Sequence, residues 1–220
     1  MYLRGPKWSM TKRRRRTSWW RVTLLVVLIG IFLYINQVVV PATPPLFIPT
    51  PTATRSPESY VAEADQLYQE GRLNQAVEAY KKAVLVDPEN PSNYINLARL
   101  QIWTGDYEDA ITNTKNALLQ NPNNPLAHAV QAWALNFTGD YTVAEAEVRK
   151  ALDLDPNNAL AHAVYAEILI DKGNFDDVDK AIEESRLAWE LGRGQLEVHR
   201  ARGLVLASTQ NLEQAAEEFQ

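Results

Sequence analysis

The chain has 220 residues, no cysteine and a formal net charge of −5 at pH 7. The lack of cysteine excludes disulfide cross-links and cysteine-ligated metals. Residues 1–21 hold eight lysine and arginine residues and no acidic residue, so the rest of the chain is strongly acidic. The two parts therefore face different surroundings or different partners.

The basic segment, residues 1–21, is predicted to be a disordered cytoplasmic tail. Its arginine run at residues 13–16 has two interpretations: a nucleic-acid or nuclear signal, or a topology signal for membrane insertion. The run lies directly before an apolar segment, and this position favours the topology signal.

Residues 22–40 contain no charged side chain and are predicted to be a transmembrane signal-anchor helix. At about 1.5 Å per residue they span roughly 28 Å, close to the hydrocarbon thickness of a bilayer. Asn36 and Gln37 interrupt the apolar run, so a cleaved signal peptide remains the alternative. The basic residues before the helix place the N-terminus in the cytoplasm and the remaining chain outside it.

Residues 41–57 contain six prolines together with several threonines. Such a composition predicts an extended linker of about 3.1 Å per residue, at most roughly 50 Å long.

The remainder of the chain repeats with a period of 34 residues. Four glycines recur at this spacing, and one proline and two alanines of each unit recur in three successive units: Gly71, Gly105, Gly139 and Gly173; Pro88, Pro122 and Pro156; Ala76, Ala110 and Ala144; Ala83, Ala117 and Ala151. A fixed period of this length indicates stacked structural units rather than one globular core.

Each unit has the pattern of two helices. In residues 91–124, Pro91 opens the first helix, and Gly105 with Asp106 breaks it where the chain reverses. Ala110 and Ala117 lie on one stripe of the second helix, which ends before Pro122.

These motifs resemble the tetratricopeptide repeat (TPR) family, whose period is 34 residues. The resemblance implies an all-α fold, a right-handed α-solenoid of helix-turn-helix repeats. The predicted solenoid, residues 58–220, has repeats at about 57–90, 91–124, 125–158 and 159–195 and a partial repeat at 196–220. A TPR subfamily clamps chaperone C-terminal carboxylates with lysine, asparagine and arginine. At the matching positions only Asn96 fits, so that activity is not implied.

In the family, the first helices of the repeats line a concave groove that binds protein segments. Carrying these positions over predicts a protein-binding groove that is aromatic at its centre and acidic at one end. Trp103, Trp133 and Phe137 have an alternative role, packing between helices or against one another. The predicted groove residues are Tyr68, Arg99, Ile102, Trp103, Trp133, Asn136, Phe137, Glu167 and Asp171.

The sequence contains no nucleophile motif, phosphate-binding loop or zinc-protease motif. His128, His162 and His199 occupy equivalent positions of successive units. Stacked helices lie about 8–10 Å apart, too far for these rings to share one metal ion. We therefore predict packing histidines, no catalytic residue, no metal site, no cofactor and no enzymatic activity.

Three functions fit this pattern. The first is a membrane-tethered scaffold or adaptor, typical of a bacterial cell envelope, that binds a protein or peptide outside the cytoplasm; its acidic body disfavours nucleic acid. The second is the substrate-docking N-terminal part of a longer enzyme or assembly factor. It is suggested by Leu212 and Phe219, which have no following helix to cover them. The third is self-association through that same face.

Overall fold

The computed structural model describes residues 18–39 and 55–220. The chain divides into two compact units, Met1–Thr54 and Arg55–Gln220. Most of the predicted basic tail (residues 1–17) and of the predicted linker (residues 40–54) lies outside the described residues.

In the first unit, the described residues 18–39 form one helix. Helix α1, Trp19–Tyr34, continues into a π-helical turn, Ile35–Val39, which includes Asn36 and Gln37. Every side chain from residue 19 to residue 38 is exposed. The segment Trp19–Val38 has a mean hydropathy of 1.9 and is long and apolar enough to cross a membrane. An apolar helix with exposed side chains on all faces is stable only where lipid or another protein covers it.

The second unit consists of five helix pairs, which we number as repeats 1 to 5. Short turns connect the two helices of a pair, so they run antiparallel. In chain order the helices are α2 (Pro57–Gln69) and α3 (Leu73–Val86), α4 (Pro91–Thr104) and α5 (Tyr107–Gln120), α6 (Pro125–Phe137) and α7 (Tyr141–Leu154), α8 (Ala159–Asp171) and α9 (Val178–Gly192), and α10 (Leu196–Ser208) and α11 (Leu212–Glu218). The predicted all-α solenoid of helix pairs is confirmed.

Local sequence determines where the first helices begin. The side chains of Asn90, Asn124 and Asn158 accept hydrogen bonds from backbone N–H groups of the first turns of α4, α6 and α8. These bonds satisfy donors that a helix N-terminus otherwise leaves unpaired.

The first helices end in a left-handed turn residue. At Gly105 the φ angle is +88°, a conformation that costs a residue with a Cβ about 1–2 kcal/mol. Repeat 5 has Gln210 at the equivalent position, with φ +64°. Its backbone is therefore strained where the other repeats have glycine.

Alanines at equivalent positions let the helices approach closely. Twelve of them are completely buried: Ala64, Ala98, Ala132 and Ala166; Ala76, Ala110, Ala144 and Ala181; Ala83, Ala117, Ala151 and Ala188. A larger side chain would separate the helices at these places. Repeat 4 is about three residues longer than the others, and a short 3-10 turn, Phe175–Asp177, precedes its second helix.

Candidate protein-binding groove

The predicted groove residues differ widely in exposure. Ile102, Trp133, Asn136 and Glu167 are buried, with exposed fractions of 3%, 1%, 3% and 1%. Arg99, Trp103 and Phe137 are half-buried, and Tyr68 and Asp171 are exposed. The half-buried and the exposed residues can therefore contact a partner directly. The four buried residues are closed to such contact.

The aromatic residues pack on one another. The rings of Trp103 and Trp133 meet edge to face with centroids 5.3 Å apart, and Trp133 lies 6.2 Å from Phe137. Phe137 in turn stacks on Tyr107 at 4.7 Å. Such pairs contribute about 0.5–1.5 kcal/mol beyond the burial of their area. The side chains thus form a rigid aromatic floor that connects repeats 2 and 3.

Helix α10 of repeat 5 covers part of this floor. The guanidinium of Arg200 lies 4.7 Å from the ring centre of Phe137 and 5.8 Å from that of Trp133. Its Nη1 donates a 2.6 Å hydrogen bond to Glu167. Arg200 therefore joins repeats 3, 4 and 5.

Glu167 is the buried acceptor at the centre of this arrangement. Trp133 Nε1 donates to it at 3.2 Å, in addition to Arg200. Burial raises the pKa of Glu167 to about 7, while the charge and hydrogen bond of Arg200 act in the opposite direction. Close by, Asn136 Nδ2 donates to Asp171 at 2.5 Å.

A second long-range ion pair connects repeats 2 and 5. Arg99 donates from Nη2 at 2.5 Å and from Nε at 3.2 Å to the same oxygen, Oε1, of Glu197. Glu197 is 3% exposed. The first helices of repeats 2 and 5 therefore face each other across the concave side, although 98 residues separate the two partners.

Two cavities meet at Trp103. The smaller, about 120 Å³, is polar and lies among α2, α3, α4 and α10. The larger, about 480 Å³, lies against α10 and α11 and includes the apolar side chains of Leu196, Leu204 and Phe219. Trp103 lines both, so the concave surface offers adjoining polar and apolar sites.

Sequence reasoning missed Glu197 and Arg200. Counted from Leu196 as the first residue of repeat 5, they occupy the second and fifth positions, which the family resemblance assigns to the groove. The predicted groove residues all belong to repeats 1 to 4. Extending them by one repeat would have identified both residues, but not Arg99 and Glu167 as their partners.

The three histidines each bond within their own repeat and to the preceding turn. In repeat 4, His162 Nδ1 lies 2.6 Å from Glu184 and Nε2 lies 3.0 Å from the carbonyl oxygen of Pro156. His128 has the same contacts with Glu147 and Pro122, and His199 with Glu218 and Arg193. The repeated histidine thus connects the two helices of a repeat.

Comparison with known proteins agrees with this fold. The tetratricopeptide repeat family model matches residues 67–134 and 138–188. No curated protein sequence matches the chain. The chain is similar to the crystal structure of a thermophilic TPR protein of Thermus thermophilus, with a TM-score of 0.63 and 22% identity over 74% of this chain and 88% of that chain.

Two further structures are similar in fold. MamA of Desulfovibrio magneticus has a TM-score of 0.51 and 19% identity over 74% of this chain and 90% of that chain. The first TPR domain of Spaghetti, solved with an HSP90 peptide, has a TM-score of 0.50 and 19% identity over 54% of this chain and 94% of that chain. The family match extends over more than half of the residues, and the helix pairs agree with it. The chain therefore belongs to the tetratricopeptide repeat family.

Proposed function

We propose that the solenoid is an interaction scaffold that binds a segment of another protein along its concave side. The observation that carries this proposal is the pair of cavities that adjoin at Trp103. A polar site beside an apolar site, on a floor of packed aromatic rings, can take neighbouring side chains of one extended or helical segment. The similarity to a TPR domain solved with a bound peptide supports this mode of binding.

The proposed contact residues are the exposed Tyr68 and Asp171 and the half-buried Arg99, Trp103 and Phe137. Two buried residues hold these side chains in place: Trp133 packs on Trp103 and Phe137, and Asn136 bonds to Asp171. Removing a buried residue would damage the solenoid itself, so the contact residues are the informative ones to change.

The scaffold is proposed to be tethered to a membrane by α1, with the solenoid outside the cytoplasm. The support is the apolar, exposed segment Trp19–Val38 and the basic residues that precede it. A single anchor, a proline-rich linker and a TPR solenoid are typical of a bacterial cell envelope protein.

Site-specific photocrosslinking in the full chain tests the groove. A photoreactive phenylalanine replaces Tyr68, which is 37% exposed on the concave side, and Leu85, which is 81% exposed on α3, serves as the matched control. We expect a discrete adduct with one partner protein from position 68 that is absent from position 85. If the two positions give the same adducts, or position 68 gives none, the groove is not the binding site.

A further inference from the structure

The smaller cavity has an unusual combination of charge and aromatic surface. Asp65 and Tyr68 of α2, Tyr80 of α3, Arg99 and Trp103 of α4 and Glu197 of α10 all line it. Its volume of about 120 Å³ equals that of roughly four water molecules at ~30 Å³ each. That space suits the end of one long side chain and is too small for a folded element.

The fixed charges of the cavity do not cancel. Asp65 and Glu197 contribute two carboxylates, whereas Arg99 contributes one guanidinium. Asp65 accepts a hydrogen bond of 2.5 Å from the hydroxyl of Tyr80. Burial and the bond to Asp65 raise the pKa of Tyr80, so this hydroxyl stays neutral and leaves the carboxylate charge in place.

Glu197 is also directed to this space. Both hydrogen bonds from Arg99 go to Oε1, which leaves Oε2, among the described residues, for a further donor. Partial burial raises the pKa of Tyr68, and the charge of the nearby Glu197 raises this pKa further. The cavity thus carries a net negative charge surrounded by the rings of Tyr68, Tyr80 and Trp103.

We propose that this cavity binds the ammonium group of a lysine side chain contributed by the partner segment. The inference rests on the proposed function of the groove and specifies its partner as a segment with a lysine beside an apolar residue. Carboxylates attract the ammonium, and aromatic faces stabilise a cation by about 0.5–2 kcal/mol. Arg99 already bonds to Oε1 of Glu197, so a second guanidinium could not bind both oxygens of that carboxylate. An acidic side chain would meet two carboxylates.

Saturation-transfer NMR on the full chain in lipid nanodiscs tests the proposal with small probes. The probes are N-acetyl-lysine methylamide, its uncharged analogue with norleucine, and the corresponding arginine and glutamate compounds. We expect the lysine probe to bind about fivefold more tightly than the norleucine probe, and the glutamate probe to bind least. An equal or greater affinity of any other probe overturns the proposal, as does the absence of saturation transfer to the lysine probe.

Two matched variants locate the effect. Asp65→Asn keeps the size of the side chain and an acceptor for Tyr80 but removes one charge, so the preference for lysine over norleucine should fall. Asp109→Asn changes an exposed carboxylate of α5 and should leave the preference unchanged. An unchanged preference in Asp65→Asn overturns the assignment. If crosslinking at position 68 still yields its partner while the probes show no lysine preference, binding in the groove stands and only the lysine assignment falls.

Discussion

At the scale of single residues, Glu167 shows how the concave side is held. It is 1% exposed and accepts hydrogen bonds from Trp133 and Arg200, which belong to repeats 3 and 5. A buried carboxylate is unfavourable unless it is paired and hydrogen-bonded, and here two donors from different repeats bond to its Oε2. Glu167 therefore connects repeat 4 to repeats 3 and 5.

The variant Glu167→Ala should lower the free energy of unfolding by about 2–4 kcal/mol, because Arg200 and Trp133 Nε1 lose their acceptor. Urea unfolding of the full chain in detergent, followed by circular dichroism, measures this. Glu190→Ala removes an exposed partner of Arg186 and should change the free energy of unfolding far less. A loss in Glu167→Ala as small as that in the control would contradict the structural role of this carboxylate.

The strained turn of repeat 5 gives a prediction of the opposite sign. Gln210→Gly should raise the free energy of unfolding by roughly 0.5–1 kcal/mol, because relief of the left-handed strain exceeds the added flexibility of the unfolded chain. Gln214→Gly, inside α11, should instead lower it by about 1 kcal/mol. Thermal unfolding of both variants compares them directly, and destabilisation by Gln210→Gly would show that the turn is unstrained.

At the scale of elements, the histidine–glutamate contact connects the two helices of a repeat. His162 bonds to a carboxylate through Nδ1 and to a carbonyl oxygen through Nε2. Two acceptors favour the imidazolium, which donates from both nitrogens. Burial opposes the charge, but the bonds to Glu184 and Pro156 outweigh it and raise the pKa of His162 above 6.5.

This raised pKa predicts a pH-dependent stability. The folded state binds the proton more tightly than the unfolded state, so the contribution of His162 is complete below pH 6.5 and is lost as the pH rises through the raised value. The difference in free energy of unfolding between the native chain and His162→Gln should therefore become smaller from pH 6 to pH 9. Lys115→Gln, on the exposed face of α5, is the control and should show a constant difference. A difference that is constant or becomes larger for His162→Gln would refute the charged contact.

At the scale of the whole molecule, the solenoid is closed by contacts between repeats far apart in the chain. The Arg99–Glu197 pair joins the first helices of repeats 2 and 5, and Trp103 shares a cavity with Phe219. Because each repeat of a solenoid otherwise contacts its neighbours, we expect such pairs to stabilise the curvature that the stacked repeats produce.

Removing this pair should open the solenoid. Because the chain has no cysteine, spin labels can be attached to cysteines introduced at the exposed Gln75 and Gln214, in repeats 1 and 5. Double electron–electron resonance should give a longer or broader distance distribution between the two labels in Arg99→Ala than in the native chain. Lys81→Ala removes an exposed pair within α3 and should leave the distribution unchanged. An unchanged distribution in Arg99→Ala would mean that helix packing alone determines the curvature.

The proposed topology is tested by reporter fusions. A reporter that is active only outside the cytoplasm should be active when fused after Gln220 and inactive when fused before Met1, because the basic residues precede α1. Replacing the arginines at residues 13–16 with glutamine should reduce this asymmetry. If the Gln220 fusion is active only with a cytoplasmic reporter, the orientation is the reverse of the one proposed.

Much of the architecture was determined by the sequence alone. The 34-residue period, the buried alanines such as Ala110 and Ala117, and the turn glycines define each helix pair and its packing against the next. This information is local, since turn conformation and close helix contacts depend on the residue type at one position. The composition of residues 22–40 likewise predicted an apolar helix without any tertiary information.

Only the tertiary structure decided which groove positions are open and what closes them. Trp133 and Glu167 occupy groove positions in sequence, yet Arg200 and neighbouring rings bury them, whereas Tyr68 stays exposed. The Arg99–Glu197 pair depends on the curvature that accumulates over several repeats, and small rotations between repeats are set by the whole packed surface. A repeat pattern specifies neighbours, and contacts between repeats 2 and 5 arise only when the full solenoid is folded.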